Sequence, residues 1–431
     1  MATGFIELND AGINQAVDGR LIYTSPGYAV LDGDQLMVGE QGLKNARLLP
    51  RWTNNRFWNQ LNNEPIANST NLVRHHADLA FNHLEQIWAN MDQGIEQVVL
   101  AVPGFYDRQQ LGLLLGMAKE TNIPVKGLVD LGLISVAQQP SLQTIFFLDI
   151  SLHRITVTLL RSDSVLRAME TMTISDTGLF TLWDRWANII ASQFIQSTRY
   201  DPMHQADSEQ QLFDLLPSWI TESSRTNQFE LNLDGVTHTT QVSSEQLIGA
   251  CSTVYPEIVK AIRNLIPPNE AATLFVSHRF QGIPGLKDSL QLIPDLEVDY
   301  LSGTAAIEAA QIHWDKLASS GDDVSHITTL PVSAKKTSTR VLQQPPTHLL
   351  TAHRAYSISN TLRVESLSPE GLVESADDAS FTVYQRGKDV FLEAHESDVL
   401  LNGQAPASRC VLNAGDQIML DGQTAVLITV N

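Results

Sequence analysis

The chain has 431 residues, too many for one ordinary core, and its 43% hydrophobic and 18% charged residues argue for two or three globular domains and against disorder. A formal net charge of −20 argues against nucleic acid and anionic membrane as main partners, because both need clustered Lys and Arg. Cys251 and Cys410 are the two cysteines, which excludes a disulfide framework and a thiolate metal cage.

The start MATGFIELND has no basic and apolar leader, and no apolar run reaches the ~18 residues of a spanning helix, so the expected setting is reducing and cytoplasmic, without membrane insertion. Residues 5–38 read as short strands, FIEL, INQAV, LIYTS and YAVL, broken by NDAG, DGR, SPG and DGD. Apolar residues at helical spacing follow over 70–92, then the buried strand QVVLAVP (97–103), a helix through Leu111, Leu114, Leu115 and Ala118, and a strand near Val125. Strand, helix, strand in that order implies parallel pairing through a crossover. TIFFLDI (144–150) and RITVTLLR (154–161), three residues apart, read as a hairpin that repeats the first meander.

Residues 178–197 carry a helical stripe through Leu179, Leu182, Trp186, Ile190 and Phe194, and 245–266 a second one with a bend expected at Pro256. FELNLDG and THTTQVS (229–243) form a hairpin between them; TLFVS (273–277) is a strand and 303–314 a helix. The chain is expected to divide into a first domain over 1–317, a flexible Ser/Thr/Pro-rich linker over 318–347 and a small all-β sandwich over 348–431. Strands YSIS, LRVES, FTVYQ, DVFLEA, DVLLN, QIMLD and AVLITV fill the last region.

The order of segments in the first domain resembles the ATPase domain of heat-shock chaperones, a member of the actin-like superfamily. IELNDAGINQAV (6–17) resembles the family's first phosphate loop, VVLAVPGFYDRQQLGLLLGMAKETNIPV (98–125) its strand, Val-Pro turn and helix, and FFLDISLHRITVTLL (146–160) its second phosphate hairpin. SEQLIGACSTVYPEIVKAIRNL (244–265), LFVSHRFQGIPGLKDSL (274–290) and LSGTAAIEAA (301–310) resemble the second lobe, the adenosine-side loop and the last connecting helix. The resemblance implies an α/β fold of two lobes, each a ribonuclease-H-like subdomain.

The same comparison finds the nucleotide-gripping residues largely replaced. Phosphates need close backbone approach, hence glycine, and a carboxylate to hold magnesium through water. Glu7 keeps the carboxylate of the first loop, but Leu8, Asn9, Asp10 and Ala11 replace its Gly and hydroxyls, and Asp10 would repel phosphate. Asp149 is kept in the second loop, while Ser151, Leu152, His153 and Arg154 fill its glycine turn. Ser277-His278 and Arg279 stand at the adenosine-side glycines, 216–224 offers serines without a cation, and 45–58 contains no catalytic lysine. Gly303-Thr304 is the best-preserved piece.

Glu7, Asp10, Asp149, Ser151, Arg154, Ser277, Arg279 and Gly303 are therefore the candidates for a degenerate nucleotide cleft, with Glu7 and Asp149 as the candidates to hold magnesium. The resemblance implies at most weak ATP or ADP binding with magnesium, and no residue is singled out as catalytic. The end of the chain, 389–430, resembles a forkhead-associated domain, where an Asn-Gly turn precedes a Gly-Asp turn and two strands. Its phosphothreonine-contacting positions hold SISNT (357–361) and ADDAS (376–380), and two aspartates there would repel phosphate.

No His/carboxylate metal spacing, nucleophile elbow, Walker loop or dinucleotide fingerprint occurs. Trp52, Phe57 and Trp58 interleave with Arg47, Arg51 and Arg56, which reads as a lobe-surface loop or a protein-contact patch and not, against a charge of −20, as a nucleic-acid surface. The expectation is a non-catalytic scaffold or adaptor whose protein partners bind at the interlobe cleft, the 47–58 loop or the sandwich. An atypical Mg-ATPase and a phosphopeptide-reading adaptor are the alternatives.

Overall fold

A computed structural model describes residues 2–331 and 346–430, apart from 72, 92–93, 140, 142, 224–226, 234, 268–269, 320, 322, 360, 376, 387–388, 404, 407–408 and 413. The chain divides into two compact units, Met1–Thr339 and Arg340–Asn431. The first is mixed α/β and the second is antiparallel β.

Two six-stranded sheets carry the first unit. In one, Ala2–Glu7 lies at the centre, antiparallel to Ile13–Val17 and parallel to Ile95–Val102. Arg20–Ser25 extends the antiparallel side and Val125–Asp130 the parallel side. In the other, Thr144–Ile150 takes the centre, with Arg154–Ser162 and Val165–Ser175 antiparallel on one side and Ala272–Val276 and Leu296–Tyr300 parallel on the other. One strand order is thus used twice.

The central strands IEQVVLAV and TIFFLDI are nearly continuous apolar runs because both of their faces are covered. Phe5, Val99 and Ala101 of one sheet share a core with Ile145 and Phe147 of the other and with the helices Leu131–Val136 and Ala305–Ile312. On the outer face of the second sheet, Phe146, Leu148 and Ile150 pack with the stripe of the helix Leu179–Thr198. Each such fully buried Phe, Leu or Ile contributes about 1.5–3 kcal/mol. That helix ends at Arg199, whose φ of 62° breaks the helical path.

Two segments differ from the sequence reading, and a third, Ala206–Glu222, is one that it left unassigned. The stripe over 245–266 is two helices, Ser244–Gly249 and Val254–Leu265. Pro256 does not bend a continuous helix; it sits in the first turn of the second one, where its missing N–H has no partner to lose. Ala206–Glu222 is a helix despite Pro217, whose only cost inside it is one backbone bond and a ring clash that the apolar stripe Leu212, Leu216 and Ile220 outweighs. His326–Ile327 and Thr329–Pro331, inside the expected linker, join the edges of the two sheets beside Leu128–Val129 and Val165–Arg167. Leu330 is buried there. The rest of the linker expectation, over 332–345, lies outside the described residues.

The second unit holds two five-stranded sheets, all of whose described pairings are antiparallel. Leu349 and Leu427 of one sheet share a core with Val364, Phe381 and Leu392 of the other. The Asn402-Gly403 and Asp421-Gly422 turns have positive φ at both positions, the twist that suits a two-residue hairpin. Asp377 and Asp378 are exposed near the expected phosphate-reading position, while Asn360 and Ala376 of that position lie outside the described residues. Among the described residues no helix is long and apolar enough to cross a membrane.

Candidate functional site

The turns that leave the two central strands, 8–12 and 150–153, face each other within the first unit. Each turn consumes its own amides. Asn9 Oδ1 accepts from Ala11 N at 2.9 Å, and Gly12 N donates to Asn9 O at 2.9 Å. Ser151 N donates to Arg154 O, and Leu152 N donates across the gap to Asp10 Oδ1 at 2.7 Å. Asn9 Nδ2 crosses in the opposite direction, donating to Asp149 Oδ2 at 2.9 Å and Ile150 O at 3.1 Å. The glycines that matter here lie in the packing segments: a Cβ on Gly27 would stand 2.7 Å from Asp10 Cβ, and one on Gly178 2.5 Å from Leu152 O.

Between the turns lies a buried cation. Arg279 comes in from the short 3₁₀ turn His278–Phe280 after the strand Ala272–Val276. Its Nη2 is 2.7 Å from Glu7 Oε1 and its Nη1 3.5 Å from Asp149 Oδ1, with the side chain only 6% exposed. Nη2 also donates to Gly12 O at 3.2 Å. The outer carboxylate oxygens are covered by asparagines, Asn14 Nδ2 on Glu7 at 3.1 Å and Asn9 on Asp149. Thr24 Oγ1 in turn donates to Asn14 Oδ1. Burial alone would lower the guanidinium pKa, but the Glu7 and Asp149 charges outweigh it and raise it, so Arg279 is held charged.

Asp10 is in the opposite situation. Burial drives its pKa up from 3.8 to about 6, against the Leu152 amide and the Arg154 and Arg279 charges, which pull it down. Its carboxyl lines a pocket with Asp149, Trp58, Phe105, Tyr106 and Phe147. The pocket encloses about 520 Å³ of space, mouth included, but is narrow, with room for a few waters. A raised carboxylate pKa favours the fold below 3.8 and penalises it as pH climbs through about 6. Asp10→Asn, which keeps the Leu152 bond, should therefore gain about 3 kcal/mol in unfolding free energy at neutral pH and almost nothing near pH 4. Urea denaturation at both pH values reads this directly, and an equal gain at both would show that charge is not the cause.

The remaining candidates separate. Ser151 lines the pocket, and its Oγ donates to Arg154 O. Arg154 lies 3.9 Å from the centre of the Phe105 ring and bonds Asn59, so it faces the 55–59 segment and not the Glu7 carboxylate. Ser277 caps the turn that presents Arg279, accepting from Arg279 N at 3.3 Å. Gly303 sits apart, behind the His278 ring.

The aromatic loop is a correction to the expected contact surface: Phe57 and Trp58 are fully buried, and only Trp52 of the three aromatics is exposed. Two of its three arginines are engaged as well. Arg47 pairs with Asp184 at 2.7 Å and Glu209 at 3.3 Å and lies over Phe213, while Arg56 pairs with Asp176. Arg47, Asn55 and Asn59 thus tie the 47–59 segment to Asp184, Glu209, His153 and Arg154.

This arrangement does not fit a water-held magnesium ion at Glu7 and Asp149, because the cation position between the two carboxylates is filled by Arg279. Among the described residues no group of three His, Cys, Asp or Glu could hold a metal. The side chains that the sequence reading missed are Asn9, Asn14, Asn59, Trp58 and Tyr106. Their one visible signal was the density of asparagine around the expected loops. No protein-family model matches this chain, and no curated protein matches it, so the geometry of the two turns and of Arg279 is what a function has to be argued from.

Proposed function

We propose that this protein is a non-hydrolysing relative of the actin-like chaperone ATPases, acting in the cytoplasm as a scaffold or adaptor for other proteins. The observation that carries the proposal is the Arg279 guanidinium between Glu7 and Asp149. In the fold that the segment order resembles, that position belongs to magnesium and the phosphates.

Two further features support the reading. Asp10 accepts the Leu152 amide that a phosphate oxygen would otherwise take. The duplicated strand order, with its turns facing each other, is what an actin-like pair of ribonuclease-H-like lobes requires. An internal cation and an internal anion thus stand in for both halves of a metal nucleotide, and the lobes are fastened without one. A domain fixed in one closed form presents a constant surface, which suits a scaffold better than a cycling motor. The C-terminal sandwich, forkhead-associated-like in its turns, is a second binding module whose exposed Asp377 and Asp378 disfavour phosphothreonine.

Isothermal titration of Mg-ATP and Mg-ADP into the full chain tests this. No heat and no thermal shift at millimolar nucleotide is the expected result. Saturable binding tighter than about 100 μM, some −5.5 kcal/mol, would overturn it in favour of an atypical ATPase.

A further inference from the structure

We infer that the pocket beside Asp10 binds a small organic cation, an alkylammonium or alkylguanidinium ion, held between a carboxylate end and an aromatic wall. The inference does not rest on the chaperone resemblance; it follows from the lining.

Asp10 is 5% exposed. Its Oδ1 takes the Leu152 amide, and its Oδ2 accepts no hydrogen bond from any described residue although the residue lines the pocket. A carboxylate oxygen that opens on a narrow pocket without a protein donor is served by a proton, a water or a cation. Asp149 stands at the same end, and the hydroxyls of Ser151 and Thr156 add acceptors for N–H groups. Burial also leaves Asp10 poorly served by its nearby charges, since its carboxyl stays above the usual range despite Arg154 and Arg279.

The lining is otherwise rich in aromatic rings: Trp58, Phe105, Tyr106 and Phe147. Faces of such rings attract cations. Phe105 already holds one, the Arg154 guanidinium at 3.9 Å, so this wall accepts the chemistry proposed for it. Charge counting agrees. Glu7, Asp10 and Asp149 face Arg279 and Arg154, which leaves one negative charge when Asp10 is ionised, with Asp130 as a further carboxyl behind Gly104. A phosphate or carboxylate ligand would meet net repulsion here.

Size limits the ligand. Leu8, Ile13, Trp58, Leu131, Phe147 and Asp149 in the lining are each more than nine-tenths buried, and the space suits a few waters. A cation of about three to six non-hydrogen atoms matches it; a nucleoside or a peptide does not.

The test is titration of the full chain with ethylammonium chloride and methylguanidinium chloride, followed by heat and by thermal shift, with 1-propanol as the neutral probe of intermediate size. At pH ~7.5 the cations are expected to bind saturably in the millimolar range, and propanol not at all. Asp10→Asn should weaken cation binding about tenfold or more, and so should acidification to pH ~5, where Asp10 is mostly protonated while Arg154 and Arg279 keep their charges. Phe105→Leu should weaken it severalfold by removing the π face.

Absence of saturable heat up to about 100 mM of either cation would overturn the proposal. So would equal binding of propanol, or unchanged affinity in Asp10→Asn. Mg-ATP titration reads the proposed function separately, so the two can fail independently.

Discussion

Replacing Arg279 with methionine should cost about 3–5 kcal/mol of unfolding free energy, the range for deleting one partner of a buried ion pair. The loss comes less from the missing attraction than from what stays behind. Glu7 and Asp149 are each under a tenth exposed, and without the guanidinium they keep one asparagine each and no counter-charge. Adding Glu7→Gln and Asp149→Asn to Arg279→Met should therefore restore most of the loss, because the uncompensated charges leave with the arginine. Urea denaturation of the three proteins measures both effects.

Magnesium supplies an independent arm. If Arg279 holds the position of a divalent ion, millimolar magnesium should raise the melting temperature of Arg279→Ala and leave the wild type unmoved. A variant that loses under about 1 kcal/mol, or a triple variant no better than the single, would mean that Arg279 is a peripheral packing residue and that the reading of the site is wrong.

Much of the fold was legible because its elements obey local rules. IEQVVLAV and TIFFLDI announce buried parallel strands by unbroken apolar runs, and Leu182, Trp186, Ile190 and Phe194 announce a helix by their spacing. Where local rules and tertiary packing diverge, the reading fails. Pro256 sits in the first turn of a helix and does not bend a longer one, and the polar, Ser/Thr-rich stretch around Thr329–Pro331 hides a strand that pairs with Val165–Ser175.

The site was legible as a set of residues but not as an arrangement. Glu7, Asp149 and Arg279 were all picked out, yet what joins them spans 272 and 130 positions of sequence, and no periodicity reports a contact at that range. Phe57 and Trp58 failed for the same reason. Interleaved with arginines they read as a surface, and only the first sheet's own core, with His83 and Tyr106 closing around them, makes them core.

Two buried histidines, His83 and His153, both pushed down by burial, weigh on the acid side of the stability curve, and His83 is shifted further. His83 is fully buried, with Trp58 Nε1 donating to its Nδ1 at 2.9 Å, so the ring proton sits on Nε2 and is donated to Ser25 Oγ at 2.7 Å. Protonation would put a second N–H against the indole N–H, with no water to relieve it. Burial accordingly lowers the pKa from 6.5 to about 3. A depressed folded pKa gives stability that is fully present above 6.5 and is lost as pH falls toward 3. Between pH 7 and pH 5 this one group should withdraw about 2 kcal/mol.

Asp10, with its pKa raised to about 6, works in the other sense and returns about 1 kcal/mol over the same interval as it takes up its proton. The wild-type profile is therefore the sum of opposed terms, and the informative quantity is the difference between variants. His83→Gln, which can still accept from Trp58 and donate to Ser25, should lose less stability than the wild type on going from pH 7 to pH 5, by about 2 kcal/mol. Asp10→Asn should lose more, by about 1. Profiles for both variants that run parallel to the wild type would mean that neither group is held as the buried bonds require. In that case Trp58 and its neighbours would be solvated, and the pocket wall they form would not be the rigid surface that a cation needs.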